Sequence, residues 1–175
     1  KSNYPKCKAL KSKAPLSVRD AFASMYPGTR FDEEPQCPRR LGGDRGKEWE
    51  GEFGSYLRDA GIEVPDGLPD ESNAMAFIES NNDVLERGTA VALEASGFPY
   101  EFWSLAAVHY YYNKARLPDG RKDGLSPYER RWQAPHNRQL VPFGCFCDFH
   151  DHNHLKFGSR NKEGAIVGYA KKGGY

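Results

Sequence analysis

Cysteine is scarce, four among 175 residues, which is too few for the dense disulfide framework of a small secreted scaffold. Long hydrophobic runs are missing as well. The apolar stretches are only a few residues long and the mean hydropathy is −0.78, so no segment approaches the roughly 20 apolar residues that a membrane span needs; no membrane association is expected. Neither sign of charge dominates, with 25 Lys+Arg against 24 Asp+Glu. Together with 38% apolar and 13% aromatic residues, that balance excludes a highly charged disordered tail, a collagen-like repeat and a coiled coil. There is no internal repeat or low-complexity tract. The chain opens Lys1, Ser2, Asn3, with neither an initiator Met nor a signal-peptide pattern, so an intracellular compartment and a fragment or processed piece are the expectations.

What is present is unevenly spread. Residues 1–13 carry five Lys and no acid, residues 14–100 carry 8 basic and 17 acidic residues, and residues 101–175 carry 12 basic and 7 acidic residues. An acidic middle between basic flanks suits a carboxylate-lined, cation-binding centre beside surfaces that could hold phosphate backbones. It equally suits ordinary surface, since the isoelectric point of about 7.8 lies well below that of dedicated nucleic-acid binders.

The periodicity is that of an α/β chain. Tyr4 to Ser12 reads as a strand. Pro15 can open a helix striped by Val18, Phe22, Met25 and Tyr26 and stopped by Gly28. Arg39–Leu41 and Ile62–Val64 are short strand candidates, and Trp49, Phe53, Tyr56, Leu57 and Ala60 recur at helical spacing, predicting a helix over 48–60. Met75, Ile78, Asn82, Leu85, Thr89 and Ala92 form one stripe of a long helix from Asn73 to near Gly97, and a further helix follows over about 99–113. Ser126-Pro127-Tyr128-Glu129 is a capping box with Pro at the first helical position. After Pro135, short aromatic runs at Leu140–Phe149 and Ala165–Tyr169 predict a hairpin or small barrel. Pro118, Gly120, Gly124 and Pro135 mark a linker between an α/β unit and a small β unit.

Two carboxylates carry the candidate chemistry. Asp44 sits at the end of a strand candidate, just before a glycine and an aromatic that open a helix. Glu79 lies on the long helix at the edge of its apolar stripe, sharing a face with Asn82 and Glu86. Two carboxylates held close repel unless a hard divalent cation lies between them, and a pair of such ions serves in-line displacement at a phosphodiester. The alternative is that Asp44 caps a helix and Glu79 is a solvated helical position; spacing alone favours that alternative.

Asp44-x-Gly46-x-Glu48-Trp49, Gly61-Ile62, Ser72-Asn73-Ala74, Ile78-Glu79-Ser80-x-Asn82, Phe98-Pro99-x-x-Phe102-Trp103, Ser126-Pro127-Tyr128-Glu129, Phe143-Gly144-Cys145 and Val167-Gly168-Tyr169 occur in the order seen in Copia-type retrotransposon integrases, and the chain resembles that family across nearly its whole length. The resemblance implies an RNase H-like integrase core over residues 1–117, incomplete in its first strands, a linker with a short helix over 118–136 and a small SH3-like β module over 137–175. It also implies a triad of two Asp and one Glu holding two magnesium (Mg2+) or manganese (Mn2+) ions. Asp44 matches the second Asp and Glu79 the Glu, with 34 residues between them, and Asn82 matches the family's Asn one turn further on. The activity implied is 3′-end processing and strand transfer in DNA integration. DNA, a homo-oligomer and a nuclear location are implied the same way.

The departures matter as much. No acid precedes Asp20, and Asp20 falls inside the first helix, so the first metal-binding Asp is missing from this stretch of chain. Ser80 stands where the family usually has Arg, Asp83 stands where a second Arg is common, and the segment between Asn73-Ala74 and Glu79 is longer than usual. A decayed or domesticated relative, acting as a nucleic-acid-binding or structural interaction module with protein partners, is therefore the alternative. Cys145, Cys147, His150, His152 and His154 include potential zinc ligands, but Cys145 is most simply an apolar strand residue and the His residues belong to a solvated turn. In His109-Tyr110-Tyr111-Tyr112, core packing accounts for more of the run than stacking on bases does.

Overall fold

The computed structural model describes residues 3–33, 36–43, 46–65, 71–152, 156 and 158–170, with the backbone alone at 48 and 71–75. It is a mixed structure of helices and one small antiparallel sheet. The helices are α1 (Pro15–Met25), α2 (Gly51–Asp59), α3 (Glu71–Ser96), α4 (Trp103–Lys114) and α5 (Pro127–Trp132), followed by strands β1 (Cys145–His150) and β2 (Asn161–Ile166). Short 3-10 turns precede α2 at Lys47–Trp49 and α4 at Tyr100–Phe102. No described helix is long and apolar enough to cross a membrane. The residues group into two compact units, one of Lys8–Asn82 and one of Lys1–Cys7 with Asp83–Tyr175.

The first unit is built on aromatic packing. Pro15 opens α1, and its stripe delivers Phe22 into a cluster with Cys37, Phe53, Leu57, Ala60 and Ile62, flanked by Val18, Tyr26 and Trp49. The Phe22 ring meets Phe53 edge-on at 5.5 Å and Tyr26 at 5.0 Å, separations at which ring quadrupoles attract. The helix expected over 48–60 is interrupted at Glu50, whose φ of −85° and ψ of 173° are extended, so that Trp49 closes one turn and α2 begins afresh. The strands expected at Arg39–Leu41 and Ile62–Val64 reduce to one parallel bridge, Arg40 to Glu63, with Leu41 N–H donating to Glu63 O at 2.9 Å. Pro38, Gly42-Gly43 and Pro65 bound these segments and stop the ladder from growing. Tyr4–Ser12, expected as a strand, has no ladder pairing. Among the described residues the only other pairing is β1 with β2, in place of the larger sheet flanked by helices that the resemblance implies.

In the second unit α3 and α4 approach closely because position 88 is glycine: a Cβ there would come within 2.1 Å of the Tyr110 ring. Leu93, Ala106 and Phe143 form the core, with Phe98, Phe102 and Val167 packed on it. Gly144 turns the chain into β1 with φ 73°, and a Cβ there would lie 2.4 Å from that of Ser96, so its backbone conformation and its surroundings both favour glycine. The hairpin pairs Cys145 with Ile166 through His150 with Asn161. It is tied to α4 by Tyr169, whose hydroxyl donates to Asn113 Oδ1 at 2.7 Å and accepts from Val141 N–H at 2.9 Å, while Asn113 Nδ2 donates to Val141 O at 2.8 Å. The Tyr169 ring stacks on Tyr112 at 4.0 Å. His109 and Tyr111 are buried and Tyr110 covers Gly88, so packing does occupy most of that aromatic run.

The capping box at α5 forms as its sequence predicts. Ser126 Oγ accepts from Glu129 N–H, and the Glu129 carboxylate accepts from Ser126 N–H at 2.8 Å. One turn on, Arg130 reaches back into the preceding loop. Its guanidinium donates to both carboxylate oxygens of Asp119 at 2.7 and 2.8 Å, to both of Asp123 at 2.8 and 2.6 Å, and to Leu125 O at 2.8 Å. The side chain is only 10% exposed, and such two-pronged pairing is geometrically demanding. The Arg130 hydrogen bonds hold both carboxyls below their usual range, Asp123 down to about 2.

Replacing Tyr169 by Phe removes the hydroxyl and leaves Asn113 Oδ1 and Val141 N–H without it; a urea titration should show a loss of about 1–3 kcal/mol. Acid should release the Arg130 latch. Asp119 and Asp123 have depressed folded-state pKa values, so the stability they contribute is fully present above the unfolded value of 3.8 and is lost as pH falls toward about 2. The gap in melting temperature between the native chain and Arg130→Met should therefore narrow between pH 4 and pH 2; a gap independent of pH would contradict this.

Candidate functional site

The segment after Asp44 is anchored by its aromatic. Gly46 leads into the 3-10 turn, Trp49 N–H donates to Gly46 O at 3.1 Å, and the Trp49 ring packs 5.7 Å from Phe53 and lies against Gly43, where a Cβ would come within 2.9 Å of it. A cavity of about 450 Å³ opens beside this turn, with Trp49, Leu57 and Ile62 as apolar wall and Glu50 and Arg58 as its charged residues. Asp44 itself lies outside the described residues, as does its neighbour Arg45.

Glu79 is on α3 and exposed, three residues before Asn82, which is exposed too. At 1.5 Å of rise per residue the two are about one turn apart on the same face, and Glu86 continues that face one more turn. Ile78 beside them is half-buried, which is the reason Glu79 falls at the edge of the stripe. The side chains of Glu79 and Asn82 make no hydrogen bond or ion pair among the described residues. The contrast with Asp83 is informative: its carboxylate accepts from Arg87 one turn further on, an ordinary i,i+4 surface pair. Asn81 is also engaged, donating to Phe77 O at 2.7 Å.

The donor chemistry of Asp44, Glu79 and Asn82 fits a hard cation, since carboxylate and carboxamide oxygens are what magnesium and manganese take. The described residues bring together only Glu79 and Asn82, and they contain no group of three or more His, Cys, Asp or Glu able to hold a metal. At the hairpin, Cys145 and Cys147 are half-buried at alternate positions of β1, and the rings of His150 and His152 are 4.9 Å apart on exposed residues. His154 lies outside the described residues.

Two features escaped sequence reasoning. The cluster of Asp119, Asp123 and Arg130 has its residue types in plain view, but nothing local says that Arg130 turns back on the loop. The tie between Asn113 and Tyr169 spans 56 positions; the only local signal was that Tyr169 closes a motif.

No protein-family model matches the chain, and no curated protein does. Among solved structures it is similar to a chain in a cryo-EM structure of the simian T-cell lymphotropic virus intasome in complex with the PP2A regulatory subunit B56 gamma, at 14% identity and a TM-score of 0.49. The match covers 91% of this chain and 55% of that one, so the present chain spans about half the length of that one.

An exposed, unpaired carboxylate has little to contribute to folding. Glu79→Gln and Asn82→Ala should each leave stability within about 0.5 kcal/mol of the native chain in chemical denaturation; a larger loss would make either residue structural.

Proposed function

We infer that this chain is a segment of an integrase-type DNA phosphoryl-transfer protein with an RNase H-like ancestry, and that Asp44 and Glu79 are two of its three metal-binding carboxylates. The observation that carries the reading is the state of Glu79: exposed and unpaired among the described residues, on one face with Asn82, in a sequence whose motifs follow the order of Copia-type integrases. Asp83, four positions on, is spent on a surface ion pair. A carboxylate left free beside a carboxamide is available for a ligand in a way that Asp83 is not.

Magnesium or manganese, when bound, would supply charge stabilisation at a phosphodiester undergoing in-line displacement. The chain's own contribution is to supply the hard donors: the carboxylate of Asp44, two positions before Gly46 in the sequence, the Glu79 carboxylate on α3, and the Asn82 carboxamide about one turn beyond it. A third carboxylate matching the family's first Asp is not found among residues 1–43. This polypeptide by itself therefore supplies two of three ligands, and the same consideration favours an inactive nucleic-acid-binding or interaction module as the second reading. DNA, self-association and a nuclear location belong to the proposal on the strength of the sequence resemblance.

Calorimetric titration with Mn2+ tests the carboxylates. Saturable binding that Asp44→Asn and Glu79→Gln each abolish supports the reading, and binding indifferent to both contradicts it. In a strand-transfer assay on a DNA oligonucleotide the native polypeptide should fall short of a complete three-carboxylate site by three or more orders of magnitude, because metal stabilisation of the transition state amounts to several kcal/mol. Efficient transfer would show that two carboxylates suffice.

A further inference from the structure

One groove of the second unit serves no part of the proposed chemistry. It runs along α3 and the segment leading into α4, encloses about 800 Å³, and has Leu85, Leu93, Phe98 and Trp103 among its lining, with Glu86 and Glu94 as its charged residues. Its polar inventory is short. The Thr89 hydroxyl on the floor is already used, donating to Leu85 O at 2.7 Å, so the floor presents carbon. The two glutamates are exposed, unpaired among the described residues, and eight positions apart on α3, which is about 12 Å along a helix axis. Trp103 is 46% exposed and Tyr100, at the same groove, is 77% exposed. Exposed aromatics gathered at a concave apolar surface are characteristic of an interaction site.

We propose that this groove docks a helical segment of a protein partner that is apolar along one face and carries Lys or Arg toward both ends. Leu85 and the half-exposed Trp103 present apolar surface beside Thr89 and Leu93, each 8% exposed, and so form a trough into which an incoming helix can set anchors at i, i+3, i+4 and i+7. Glu86 and Glu94 then meet its cationic flanks. Charge selects the occupant: the carboxylates repel phosphate backbones and anionic lipid headgroups, and a polar small molecule would find no free donor on the floor. The surface lies on residues 85–107 and is independent of Asp44 and Glu79, so it adds a partner to the molecule without relying on the metal reading.

The test uses the full chain and two amidated peptides of about 18 residues that share one leucine pattern, one flanked by Lys and the other by Glu. Saturable binding of the Lys peptide, with amide shifts at Leu85, Leu93 and Trp103 and no such response to the Glu peptide, is the expected result. Glu86→Lys and Glu94→Lys, both at exposed positions, should together weaken the Lys peptide by about tenfold or more, whereas Glu79→Gln should leave it unchanged. Trp103→Ala should weaken it as well. Equal affinity for the two peptides, no binding, or binding that ignores the charge reversals would overturn the proposal; the peptide comparison needs no variant and so holds even if a substitution impairs folding. Concentration-dependent self-association that shields Trp103 without any peptide would overturn it too, by assigning the groove to a second copy of the chain.

Discussion

A two-stranded hairpin cannot bury a core of its own, and the hydroxyl of Tyr169 is where this one is tied to a helix. That oxygen closes a ring of hydrogen bonds with Asn113 and the backbone of Val141, while its ring lies flat on Tyr112 and beside His109. The arrangement places Phe143 against Leu93 and Ala106, and the glycine at 144 lets the backbone follow at close range. His109, 1% exposed, sits in the same aromatic nest without a hydrogen-bond partner among the described residues. Its burial pushes its pKa below the ordinary histidine value, so it stays neutral in the packed state.

From that anchorage the rest of the second unit follows. With α4 fixed by its aromatic side, Gly88 admits Tyr110 and brings α3 close, and Leu85 and Leu93 are left lining an open groove. Just past the C-terminal end of α4, Arg116 lies 3.3 Å from the centre of the same Tyr112 ring and 5.0 Å from that of Tyr128, and Tyr128 N–H donates to Ala115 O. The short helix α5 is thus held by a backbone bond, a cation between two rings, its own capping box and the Arg130 latch. Six residues of helix would not persist without such support.

What the sequence made legible was local. The capping box at Ser126 and Glu129 involves neighbours only, and it forms. The stripe of α1 appears where Val18 and Phe22 put it, and that of α3 holds at Ile78, Leu85 and Thr89 but not at Asn82, which is exposed. The hairpin is present, although Pro142 and Gly144 delay its first strand to Cys145 and its second strand is Asn161–Ile166, which starts and ends ahead of the expected Ala165–Tyr169. Pairing that depends on a distant partner was not legible: Tyr4–Ser12 reads as a strand but has no ladder, and Arg39–Leu41 obtains one bridge where Pro38 and Gly42-Gly43 permit it. The candidate site divides along the same line. The face shared by Glu79 and Asn82 is a property of one helix and could be read from spacing; whether Asp44 converges on it is a property of the tertiary structure. The resemblance to integrases supplied that expectation, and the periodicity did not.

The most direct measurement of the central claim is paramagnetic broadening by substoichiometric Mn2+ in an amide spectrum of the native chain. One ion held by both carboxylates should broaden the signals of Gly43 and Gly46, on either side of Asp44, together with those of Glu79 and Asn82, at a common Mn2+ concentration and reversibly with chelator. Broadening confined to one of the two segments, or spread evenly over the acidic surface of residues 14–100, would contradict a shared site and the metal chemistry proposed for it.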